Sequence, residues 1–156
     1  MARSMPQAKF AYYELEFDSV IRGHHASKET WTPMPEEEIL ECQPDTSHQA
    51  QQKDDYAIGV WKNNAVVGHV PGGAMSKLLH QFLLSHKEAR LTAVPTHNRA
   101  YEVGLVVPCV YKATLPRSAK LGKENMEILK QKLMEIDIAD EEYVTIAVSD
   151  IINKMY

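Results

Sequence analysis

The chain has 156 residues, 44% of them apolar, and a formal net charge of −4. That length makes one ordinary domain with a real core, and the acidic balance excludes a protein that coats nucleic acid through bulk electrostatics, so any nucleic-acid site must be local. No window reaches the roughly 18 apolar residues of a membrane span and MARSMPQAKF lacks the apolar stretch of a secretory signal, so a soluble intracellular protein with no membrane partner is expected.

Tyr13, Leu15, Phe17 and Ile21 alternate with Glu14, Glu16 and Asp18, a period of two that predicts a first strand with one apolar face. Pro33 and Pro35 interrupt the chain, and a short second strand is expected from Ile39 to Cys42. TSHQAQQKDD, residues 46–55, has no apolar period and reads as an exposed, mobile loop. YAIGVWKNNAVVGHV predicts a hairpin, with Tyr56, Ile58 and Val60 on one face, Trp61 on the other and the turn at Asn63-Asn64, where asparagine tolerates positive φ.

A helix follows at once, carrying Met75, Leu78, Leu79, Phe82 and Leu83 on one stripe. Pro71, Gly72 and Gly73 permit the abrupt change of direction from strand to helix, and the helix start leaves N–H donors beside His69, a corner suited to an anion. ARLTAV and AYEVGLVVPCVYKATL, on either side of the turn-like PTHNR, supply two more extended runs, for five or six short strands in all.

Beyond residue 116 the period becomes helical. Met126, Leu129 and Leu133 form one stripe; Val144, Val148, Ile151, Ile152 and Met155 form another, with Asp140 as its N-cap. Charge divides along the same line: residues 116–134 hold 5 Lys/Arg against 2 Asp/Glu, and residues 135–156 hold 1 against 6. The expected organisation is therefore a barrel over residues 10–115 and a helical appendage over residues 116–156. Its fold class is mainly β with helices (α+β): a small, curled antiparallel barrel plugged at one end by the internal helix, with amphipathic helices at the C-terminus.

The segments FDSVIRGHHASKETWTP, EEILECQPD, DDYAIGVWKNNAVVGHV and GLVVPCVYKA resemble, in that order, the HIRAN domain over about residues 17–115. The most specific part is Asp54-x-x-Ala57-Ile58 followed by Val67-Gly68-His69. The resemblance implies an OB-like barrel that captures single-stranded DNA at a free 3′-hydroxyl end, with no enzymatic activity of its own. It also implies roles: Arg22 on the phosphate backbone, Asp54 accepting from the terminal hydroxyl, and His69 beside the bound strand. The chemistry suits these roles, since a guanidinium offers a planar fork of donors to a phosphate, whereas a carboxylate accepts from a hydroxyl and repels a phosphate in its place. The chain departs from the family on the ligand side. Gly23-His24-His25 stands where two tyrosines are expected, Cys42-Gln43-Pro44 replaces an Arg-Glu-Pro stretch, TSHQAQQK replaces an Asn-Pro turn, and Leu105 stands near an expected phenylalanine.

Other chemistries fit less well. His24, His25, His48 and His69, with Asp54 or Asp55, match no zinc spacing, and adjacent histidines point to opposite faces of a strand. Cys42 and Cys109 are too few for a disulfide framework and lie in strand-like stretches without a helix start to activate a thiol. No phosphate-binding glycine loop is present. The expectation is a non-catalytic module without cofactor or metal, binding single-stranded DNA or its 3′ ends. Arg22, Lys62 or Arg99 would lie on phosphates, His24, His25, Tyr56, His69 and Tyr101 beside the strand, and Asp54 on the terminal hydroxyl. A nuclear location, a place in DNA repair, and a helicase or other protein partner on the C-terminal helices accompany it. The alternative is a protein-interaction adaptor, in which the barrel and the basic-then-acidic tail bind a partner and DNA-end binding is lost.

Overall fold

A computed structural model describes residues 11–22, 38–96, 106–139 and 151–155. Among these described residues, seven strands and three helices follow in chain order: β1 (Ala11–Arg22), β2 (Leu40–Pro44), α1 (His48–Lys53), β3 (Ile58–Lys62), β4 (Ala65–His69), α2 (Ala74–Ser85), β5 (Arg90–Pro95), β6 (Val106–Pro116), α3 (Gly122–Ala139) and β7 (Ile152–Met155). The sheet is antiparallel and runs β4-β3-β2-β5-β6-β1-β7, and a further pairing of β4 with β1 closes six of its strands into a ring. The expected barrel-like α+β fold is therefore present at this level of description.

Alternation builds the interior. Leu15, Phe17 and Ile21 of β1 are buried, as are Cys109, Tyr111, Ala113 and Leu115 of β6, which pairs with β1 from Tyr12↔Pro116 to Arg22↔Val106. The Phe17 and Tyr111 rings stack at 5.3 Å, and the Tyr111 hydroxyl donates to the Val20 carbonyl at 2.6 Å. The hairpin turns where expected: Asn63 and Asn64 have φ of 51° and 67°, the two positive values that a two-residue turn between twisted strands requires. Met75, Leu79 and Phe82 of α2 enter the same core, while Leu78 and Leu83 pack at its edge.

Closure depends on Gly68. A Cβ at that position would lie 2.6 Å from Ile21 Cγ2 and 2.9 Å from the Arg22 carbonyl oxygen, so only a residue without a side chain lets β4 approach β1.

Two expectations need correction. Residues 48–53, read as loop, form α1, with Ser47 as N-cap accepting from the Ala50 N–H at 3.3 Å. This surface helix buries no apolar stripe, so periodicity had nothing to register. At the C-terminus, Met126, Leu129 and Leu133 of α3 are buried as expected and belong to the same cluster as Leu15 and Leu115. The second stripe does not continue as a helix through Ile152 and Met155: these residues form β7, paired with β1 from Ala11↔Met155 to Glu14↔Ile152. An available sheet edge outweighs helical spacing here, because ladder hydrogen bonds satisfy the backbone as fully as a helix does. Asp140, Val144 and Val148 of that stripe lie outside the described residues.

Candidate nucleic-acid interface

The strand-to-helix joint between β4 and α2 collects the polar groups. β4 ends at His69, the Val70 N–H donates to the Ile58 carbonyl at 3.0 Å, and Pro71 and Gly72 lead to Gly73, whose φ of 81° lies in the region that favours glycine. Gly73 is the N-cap of α2 and has no side chain with which to cap it.

Two aspartates hold this joint from below. Asp45 follows β2 and is tied by its own N–H to the Ala57 carbonyl at 2.8 Å. Its Oδ1 accepts from the Ser47 N–H at 3.0 Å, and its Oδ2 lies 2.7 Å from His69 Nε2. Burial pushes the Asp45 carboxyl up, but the Ser47 donors and His69 prevail and hold it below the usual carboxylate range. Asp54 C-caps α1, and its N–H donates to the Ala50 carbonyl at 3.0 Å. Its Oδ1 accepts from the Tyr56 N–H at 2.8 Å, and its Oδ2 accepts from the Ser76 hydroxyl at 2.7 Å, within the first turn of α2. The carboxylate stands beside Gly72, where an added Cβ would be 3.5 Å from Oδ2. A negative group is favourable at this positive end of the helix.

Arg22 faces His69 across the closing β1–β4 pair. The three residues singled out in the sequence thus lie around one joint: Arg22 and His69 pair at the last register of the ring, and Asp54, at the end of α1, accepts from Ser76 in the first turn of the helix that the ring feeds. Tyr56, two residues beyond Asp54, is 37% exposed. The His80 ring meets it edge-on at 5.4 Å, and Lys77 Nζ lies 5.6 Å from its centroid. His24, His25, Arg99 and Tyr101 lie outside the described residues. Lys62, expected on a phosphate, has its Nζ 3.9 Å from Glu38 Oε2.

Sequence reading missed Asp45, Ser76, Lys77 and His80. Asp45 is 24 residues from His69, and no local signal links them. Lys77 was legible in part, since a helix that buries Met75 and Leu79 must turn Lys77 outward. The metal candidates occupy separate networks: His48 bonds Gln52 at 2.9 Å, His69 bonds Asp45, and Asp54 bonds Ser76. Burial pushes the Cys42 and Cys109 thiols well up, which disfavours the thiolate a nucleophile needs. No family model matches this chain, and neither a curated protein nor a solved structure matches it.

Proposed function

We propose that this barrel is a HIRAN-like, non-catalytic module that binds single-stranded DNA and reads a free 3′-hydroxyl end at the β4–α2 joint. The observation that carries the reading is the convergence of Arg22, His69 and Asp54 on that joint, with an exposed tyrosine beside them. Arg22 meets a phosphate, Tyr56 offers its ring to a base, and Asp54 accepts from the terminal hydroxyl. The Asp54 carboxylate receives two hydrogen bonds within the protein. Its two oxygens offer about four acceptor directions, so capacity for a ligand hydroxyl is left. A terminal phosphate would meet this negative charge and be repelled.

The test is an anisotropy titration at fixed low salt. It compares strands ending in a 3′-hydroxyl or a 3′-phosphate with circular strands, duplex DNA and RNA. Asp54→Asn is the informative variant, because it keeps the Tyr56 N–H acceptor and the side-chain shape while removing the charge. The hydroxyl end is expected to bind about tenfold more tightly than the phosphate end, and Asp54→Asn to bring that ratio near unity. Equal, weak binding to every polymer would reject the reading in favour of a protein adaptor.

A further inference from the structure

The α2–α3 contact leaves a groove of about 380 Å³. Its size lies at the lower end of the range of small-ligand pockets, about 300–1,000 Å³. Ala74, Leu78 and Ile136 contribute apolar surface, and the charged lining is two lysines, Lys77 and Lys132, against one acid, Glu135. Within a chain of net charge −4 this is a local excess of positive charge. Neither lysine is held in an ion pair among the described residues. Lys77 belongs to both neighbourhoods: it lines the groove and lies 5.6 Å from the Tyr56 ring centroid. Ala74, which also lines the groove, opens the helix whose first turn bonds Asp54. The groove and the joint therefore share the first turns of α2.

We infer that this groove is a second nucleotide subsite, taking the residue on the 5′ side of the captured end, with a base against Ala74, Leu78 and Ile136 and phosphates against Lys77 and Lys132. The inference rests on the end-binding reading and extends it. Apolar surface flanked by two cations suits the alternation of base and phosphate along a single strand. Continuity with Tyr56 through Lys77 selects a nucleic acid over an acidic peptide as the occupant.

Strand length separates the two ideas. Lys132 is exposed and remote from Asp54 and Arg22 in the chain, so Lys132→Glu is expected to leave the fold and the capture of a single nucleotide with a free 3′-hydroxyl unchanged. An octanucleotide is expected to lose about tenfold in affinity, with Lys132→Gln intermediate, and the slope of log affinity against log salt is expected to fall by about one for each phosphate contact removed. Octanucleotide binding that is insensitive to Lys132→Glu, while wild-type protein still distinguishes hydroxyl from phosphate ends, overturns the subsite alone. Failure of wild-type protein to bind any strand overturns both readings. Lys132-dependent binding of an acidic peptide without such binding of strands assigns the groove to a protein partner and overturns the subsite as well.

Discussion

The barrel interior and the β4–α2 joint both bury ionisable groups, but surround them with different hydrogen-bond partners. Inside, Cys42, Cys109 and Tyr111 are shut away from water, and burial pushes all three toward their neutral forms. At the joint, Asp45 keeps its charge because N–H donors and His69 face it, and Asp54 meets a hydroxyl at a helix start. A thiol or phenol in the ring serves packing, whereas the carboxylates at the joint accept the hydrogen bonds that tie β2, β4 and α2 together. Hydrogen-bond donors, rather than exposure, let the buried Asp45 carboxylate keep its charge.

The seam between these regions is the place to break the contrast. Gly68→Ala puts a Cβ into Ile21 and the Arg22 carbonyl oxygen, and is expected to cost about 3 kcal/mol, read as a lower denaturant midpoint. Any hydroxyl-end preference should weaken with it, because Arg22 and His69 meet at that seam. Inside the ring, Tyr111→Phe removes the donor to the part-buried Val20 carbonyl, an expected loss of about 1.5 kcal/mol by chemical denaturation. The smallest effect sharpens the contrast at the joint. The Asp45 carboxyl is depressed in the folded state, so its contribution to stability is present above the unfolded value and is lost as pH falls through the folded one. Wild-type stability should thus drop below about pH 4 relative to Asp45→Asn, with the variant about 1 kcal/mol less stable at neutral pH.

Particular elements show how much of this was legible. β1 and the Asn63-Asn64 hairpin were readable because period-two burial and positive-φ turn residues are local signals. α2 was readable for the same reason, since Met75, Leu79 and Phe82 recur at helical spacing. α1 escaped detection because it lies on the surface, and β7 because its partner strand is more than 130 residues away in the chain. Within the candidate site, Arg22, Asp54 and His69 were singled out through a resemblance of sequence. Their internal partners, Asp45 and Ser76, lay beyond it.

By itself the sequence determined the alternating strands, the bare glycine joint and the amphipathic stripes of α2 and α3, because each follows from steric and solvation preferences of residues a few positions apart. Only the tertiary structure decided that β1 meets β4 through Gly68, that the tail ends as a strand on β1, and that Asp45 and Ser76 occupy His69 and Asp54. Those outcomes depend on which distant backbone edges and polar groups are left over once the ring has closed, and no short stretch of chain contains that information.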